Sequence, residues 1–323
     1  MTDLLKNPIF SDETKAREWL EARVWPEGPT CPHCGNADQD RITGLQGKAH
    51  RPGVYQCNEQ ECREQFTVTV KTVFERSKIP LTKWLAALFL MTASKKGVSA
   101  HQMHRMLDIS YKSIWFMMHR LREAMRSGGL EPIGGRGKVV EADETYFGRA
   151  EELHVSPQRK GRAYTKRGKI FNNRPILALV ERGGSVRSFH VAVADQDTVC
   201  KIVRENVAEE SHVHTDESKL YSKPLMGVRR HMSVKHTAGE YVRDEVTTNT
   251  VESYFSVFKR GMRGVYQHCA EKHLHRYLAE FDFRYNNRIA LGIDDATRAE
   301  TLAAGIVGKR LTYRRPYSQD IPF

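Results

Sequence analysis

The chain has 323 residues, with 51 Lys and Arg against 39 Asp and Glu, a formal net charge of +12. A cationic surplus of this size favours a polyanionic partner, because neutralising a phosphate backbone releases condensed counterions. No run of about 18 apolar residues occurs, the start MTDLLKNPIF is too polar for a secretory signal, and six cysteines are too sparse for a disulfide scaffold. Neither a membrane span nor export is expected, and a reducing cytoplasmic setting is.

Residues 1–30 hold one predicted helix, from Asp12 to Arg23, and a Pro/Gly lead-in, WPEGPTCP. Residues 31–75 read as a zinc ribbon. CPHCG places Cys31 and Cys34 in a knuckle closed by Gly35, and CNEQEC places Cys57 and Cys62 in a second one, between strand-like runs GVYQC and QFTVTV. Two such turns supply four thiolates for one tetrahedral Zn²⁺, in a closed site with no open position for catalysis. The second pair is wider than the usual Cys-x-x-Cys, and His33 and His50 are alternative ligands.

Residues 80–127 turn helical. LTKWLAALFLMTASKK is an apolar helix, Ser99 caps AHQMHRML, Asp108 to Ser110 make a short turn, and YKSIWFMMHRLREAMRS follows. This is the helix-turn-helix layout, with Tyr111, Lys112 and Ser113 offered to a major groove and Lys112 and Arg120 to the DNA backbone. A plain helical bundle is the alternative.

Residues 128–138, GGLEPIGGRGK, read as a linker, and residues 138–290 as the largest domain. In KVVEADETYFG, Val139, Glu141 and Asp143 alternate onto one strand face, with Asp143 expected at the strand's end. A basic excursion follows, RAEELHVSPQRKGRAYTKRGKIFNNR, suited to a phosphate backbone. PILALVER and SVRSFHVAV form a hairpin through Gly183 and Gly184, DTVCKIVRENV a helix, and SHVHTDES a fourth strand ending at Asp216. KLYSKPL is a short helical piece and RRHMSVKHT a fifth strand. In TNTVESYFSVFKRGMR, Val251, Tyr254, Phe255, Phe258 and Met262 make an apolar helical stripe, and Asn249, Glu252, Ser256, Lys259 and Arg263 a polar one. KHLHRYLAEFDFRYNNR is a last helix, and residues 291–323 read as a basic tail.

This order of elements is that of an α/β, ribonuclease H-like (retroviral-integrase-like) domain with a mixed five-stranded sheet. The first strand, the fourth strand and a late helix would each carry one acid: Asp143, Asp216 and Glu252. Carboxylates so arranged suit two Mg²⁺ ions about 4 Å apart that activate a nucleophile and stabilise the leaving oxygen in phosphoryl transfer.

Residues 20–290 resemble bacterial insertion-sequence transposases of the group with an N-terminal zinc ribbon and an integrase-like DDE domain. The matching pieces are RVWPEGPTCPHCG, QFTVTVKTVFERSKIPL, GVSAHQMHRML with SYKSIWFMMHRLREA, VVEADETYFG, HTDES and TNTVESYFSVFKRGMRGVYQH. In this group the third acid is often asparagine, in an Asp-Asp-Asn-Lys set. The resemblance thus offers Asn249 beside Glu252 as third ligand, with Lys259 as the lysine. It implies an enzyme that cleaves DNA at its element's terminal repeats and joins the freed 3′ ends to target DNA, as a homo-oligomer on DNA. Two other readings stand beside it: a zinc-ribbon regulator with a non-catalytic ribonuclease H-like domain, and a plain nuclease that cleaves without joining.

Overall fold

The computed structural model describes residues 6–127, 131–150, 165–166, 169–170, 173–234 and 246–312. The chain divides into two compact units, Met1–Arg126 with Ile293–Phe323, and Ser127–Gly292. No helix among the described residues is long and apolar enough to cross a membrane.

In the first unit, α1 (Glu13–Val24) starts where Asp12 accepts the N–H groups of Thr14 and Lys15. The ribbon is a three-stranded antiparallel sheet in the order β1 (Ile42–Leu45), β2 (Val54–Cys57), β3 (Gln65–Phe66). Rings of Trp25, Tyr55 and Phe66 pack against one another beside it. Helix α2 (Leu81–Ala93) buries most of its length and has no cap of its own; Glu13 of α1 instead accepts the N–H groups of Leu81 and Thr82. Helices α3 (Ala100–Leu107) and α4 (Tyr111–Met125) are capped by Ser99 and Ser110. They are joined by the expected short turn, with Asp108 left-handed at φ 49°.

Arg120, expected to meet a DNA backbone, is turned into the protein instead. It is buried, donates to the Glu75 carbonyl at 2.6 Å and lies over the rings of Trp84 and Phe116. Burial brings its pKa down to about 10. It ties α4 into the core and offers no free cation to a partner.

The second unit is built on a five-stranded sheet in the order β10-β9-β4-β7-β8. Strand β4 (Val139–Arg149) pairs antiparallel with β7 (Asn173–Glu181), and β7 antiparallel with β8 (Val186–His190). On the other side, β9 (His212–Thr215) runs parallel to β4, and β10 (Arg230–Ser233) parallel to β9. The sheet is thus mixed, as expected. Within the basic excursion, β5 (Thr165–Lys166) and β6 (Lys169–Ile170) pair as a separate ribbon. Residues 151–164, 167–168 and 171–172 of that excursion lie outside the described residues.

Both sheet faces are covered, so β7 is apolar on alternate and intervening positions alike. Val140, Ala142, Leu177, Leu179 and Val213 pack under α5 (Gln196–Asn206) and α6 (Lys223–Met226). Ile176, Ala178, Val180 and Val186 pack under α7 (Asn249–Gly261) and α8 (Leu274–Asn286) through Val251, Tyr254, Phe255, Phe258 and Phe281. The apolar stripe of α7 is the one expected.

Residues 291–323 differ from the expected tail. They contain α9 (Asp295–Ala304), capped by Asp294 and packed on α1 and α2 through buried Ala299, Leu302 and Ala303. Arg298 donates to the Thr92 carbonyl at 2.9 Å, and Arg23 pairs with Glu300. The stripe is short and mostly alanine, so its apolar signal is weak beside the basic residues that follow. Residues 313–323 lie outside the described residues.

Where α8 meets β8, the Asp282 carboxyl accepts from the Ser188 N–H at 2.9 Å, the Ser188 hydroxyl at 2.8 Å and the Tyr254 hydroxyl at 2.5 Å. Burial raises its pKa to about 7, against the pull of these donors. The folded chain therefore holds this proton from about pH 4 to about pH 7 where the unfolded chain does not, and this contribution to stability is lost as pH rises through that window. Asp282→Asn is expected to flatten that part of the decline in melting temperature. Melts from pH 4.5 to 8 that show the same slope in both proteins would exclude Asp282 as its source.

Candidate active site

The site begins at a buried charge. Glu141 on β4 is 0% exposed, yet its carboxylate has a full set of donors. Oε2 accepts the N–H groups of Thr250 at 2.7 Å and Val251 at 3.0 Å, and Oε1 accepts the Thr250 hydroxyl at 2.9 Å and Arg182 Nε at 2.6 Å. Arg182 also donates to the Thr247 carbonyl at 3.0 Å. A carboxylate at a helix N-terminus satisfies orphan N–H groups and opposes the helix dipole. Glu141 thereby pins the first turn of α7 to β4. Beside it, His214 on β9 is kept neutral, its pKa brought down to about 4 by burial and by the Arg182 charge. Glu141→Ala would strand Arg182 and two helix N–H groups, at a cost of about 3–5 kcal/mol. Glu141→Gln keeps one acceptor and should cost less. Denaturant unfolding of both variants checks this order; a loss under about 1 kcal/mol for the alanine would remove the anchor.

Two residues on, Asp143 faces the same side. Strand β4 continues past it to Arg149, so Asp143 is not at the strand's end, contrary to expectation. What ends near it is the ladder with β9, which pairs with Val139, Val140 and Glu141 only. Asp216 follows β9 directly and accepts the Ser218 N–H at 2.9 Å. Burial, then the charges of Glu144, Asp216 and Glu252, raise the Asp143 pKa to about 8, while the Glu144 N–H bound at 2.8 Å opposes them. Asp216 and Glu252 are therefore close enough to Asp143 to act on its charge. The three are not drawn into a tight metal-type cluster, which among the described residues only the four cysteines form. Carboxylate oxygens are the donors that a hard divalent cation takes, so the residue types fit such an ion.

A cavity of about 690 Å³ opens on Asp143 and is lined by Thr145, Glu252, Phe255, Ser256, Lys259, Arg260, Arg263 and Gly264. Most of the polar stripe of α7 thus faces one acid and one cavity. A π-helical turn at Met262–Tyr266 extends the lining to Gly264. Asn249, the first residue of α7, is exposed and is not among the lining residues; its N–H donates to the Thr247 hydroxyl at 3.1 Å. Sequence reasoning missed Glu144, which accepts the Tyr221 hydroxyl at 2.8 Å and whose pKa is raised by burial. An acid next to Asp143 was the only available signal; nothing in the sequence singled out Tyr221.

In the ribbon, the ligand atoms of Cys31, Cys34, Cys57 and Cys62 lie within 4.8 Å of one another. The Cys31–Cys62 and Cys34–Cys57 sulfurs are each 3.7 Å apart. Zinc–sulfur bonds of about 2.3 Å at tetrahedral angles put sulfurs about 3.8 Å apart, so the quartet fits Zn²⁺. Neither His33 nor His50 belongs to the cluster. The first knuckle closes on Gly35 at φ +81°, and the wider second one on Arg63 at φ 50°.

A model described as an ISXO2-like transposase domain matches residues 134–286, and a transposase zinc-ribbon domain model matches residues 11–65. Both matched domains are described as parts of a transposase. The chain belongs to the IS1595 family of insertion-sequence transposases, from which both models are drawn. It is also 28% identical over 287 residues to the "Uncharacterized protein in transposable element ISH50" of Halobacterium salinarum, across 85% of this chain and 91% of that protein. A simian T-cell lymphotropic virus intasome in complex with PP2A regulatory subunit B56 gamma aligns over 56% of this chain and 67% of that one, at 12% identity and a TM-score of 0.28, too slight a likeness to bear on the fold.

Proposed function

We propose that the chain is a DDE-type transposase with a ribonuclease H-like catalytic domain at residues 138–290, cleaving the ends of its element and transferring the freed strands to target DNA. The observation that carries this reading is a single cavity joining Asp143, whose pKa is raised by burial and then by Glu144, Asp216 and Glu252, to Lys259, Arg260 and Arg263. Acids gathered against their own repulsion are costly unless a cation uses them, and cations beside them suit a phosphodiester. Asp143, Asp216 and Glu252 would hold two Mg²⁺ ions, which when bound activate a hydroxyl nucleophile and stabilise the leaving oxygen. Lys259, Arg260 and Arg263 hold the flanking phosphates, and Glu141 keeps α7 seated so that Glu252 and Lys259 face Asp143. The zinc ribbon at 31–75 and α3 with α4, led by Tyr111 and Lys112, bind the terminal repeats, the basic excursion adds backbone contacts, and the protein acts as a homo-oligomer on DNA in the cytoplasm.

The third ligand is Glu252 on this reading. It lines the cavity and acts on Asp143, and a carboxylate brings a hard cation a full charge that an amide lacks. In a strand-transfer assay with a labelled element end and Mg²⁺, Glu252→Ala should lower the rate about a thousandfold and Asn249→Ala by less than about tenfold. The reverse order would make Asn249 the ligand. End binding by the wild type with no cleavage under any divalent metal would favour the regulator.

A further inference from the structure

A second cavity, of about 420 Å³, lies in the first unit between the ribbon and the segment 67–81 that leads to α2. Its floor is apolar, with Phe74 and Trp84 almost wholly buried. Its rim carries His33, Arg51 and Arg76, and the hydroxyls of Thr67 and Thr69 face each other there at 3.0 Å. The Arg51 guanidinium has no hydrogen-bond or ion-pair partner among the described residues. One carboxylate, Glu75, also lines the cavity, and it is already engaged by Arg76 at 3.6 Å and Arg310 at 3.7 Å.

The backbone adds an independent observation. Arg63, Lys71 and Arg76 have φ of 50°, 54° and 55°, a conformation that glycine adopts without steric cost and that a long side chain opposes. Of the three only Arg76 lines the cavity, a basic residue where a turn alone would favour glycine. Strain retained with a charge points to a role for the charge.

We propose that this cleft seats one sugar–phosphate unit of a DNA backbone, with the phosphate on Arg51, Arg76 and His33 and the sugar over the apolar floor. The proposal rests on the transposase reading given above, and adds a contact that fixes register without reading sequence. The test uses the full-length, zinc-loaded chain and a fluorescent duplex of the element end, titrated by anisotropy at several salt concentrations, with thermal melts in parallel. Arg76→Gly should raise the melting temperature by relieving strain, yet weaken binding about three- to tenfold and reduce the slope of log K against log salt by about 1. Arg51→Ala should weaken binding to the same extent with no change in melting. If both variants bind with wild-type affinity and slope, the cleft is not a phosphate site, whatever the catalytic unit does. If the wild-type chain itself binds no duplex, the proposal falls together with the reading it rests on.

Discussion

Asp143→Asn is expected to abolish strand transfer while leaving the fold as stable as before or more so. Without a full negative charge at the centre of the acid cluster, a divalent cation loses its best ligand, and the rate should fall about a thousandfold or more, roughly 4 kcal/mol of transition-state stabilisation. The stability expectation runs the other way. Burial and neighbouring acids raise the Asp143 pKa to about 8, so the site prefers a neutral side chain. The folded chain holds this proton from about pH 4 up to about pH 8, where the unfolded chain has lost it, so Asp143's contribution to stability is lost as pH rises through that interval. Asparagine has no such proton, and in metal-free buffer at pH 8 the variant should melt higher than the wild type. A carboxylate that serves folding would give the opposite pair of results. Strand-transfer rates and chelator-treated melts on the same preparations decide it: retained activity, or a melting temperature that falls with the activity, sinks the assignment.

The parts of this site that the sequence revealed are those governed by a local period. Glu252, Ser256, Lys259 and Arg263 recur at helical spacing, and Glu141 and Asp143 at strand spacing, so their shared faces follow from backbone geometry alone. The cysteine quartet was legible for a similar reason, since a knuckle is a local turn. What was missed depends on distant partners. A glutamate on a strand carries no sign that it will cap a helix 109 residues later through Thr250, and an arginine on a basic helix carries no sign that it will be buried against Trp84. The strand's end differs from expectation because the ladder with β9 stops at Glu141, two residues before Asp143, while β7 continues to support β4 beyond it. The covered face of α9 was hidden because alanine contributes little to an apolar pattern, though three of its buried residues recur at spacings of three and one.

Removing zinc is expected to unfold the ribbon while sparing the helices of the same unit. The buried cluster around the quartet consists of Cys31, Cys57 and Phe66, with Trp25, Ile42, Tyr55, Cys62 and Val70 partly buried against it. The strands themselves are four, four and two residues long. So few apolar side chains cannot offset the entropy of ordering these loops, whereas structural zinc contributes on the order of 10 kcal/mol or more at neutral pH. Helices α2 and α4 do not share this dependence, because their buried Leu85, Leu88, Ile114, Met117 and Leu121 are not part of the cluster around the sulfurs. Hydrogen exchange under a strong chelator should therefore show protection lost across β1 to β3 and kept in α2 and α4, with zinc restoring it. Cys57→Ser should reproduce the loss without chelator, and because the ligands bind as thiolates, mild acid should release the metal before the helices unfold. Protection in β1 to β3 that survives chelation would mean the four sulfurs are packed for some reason other than a metal.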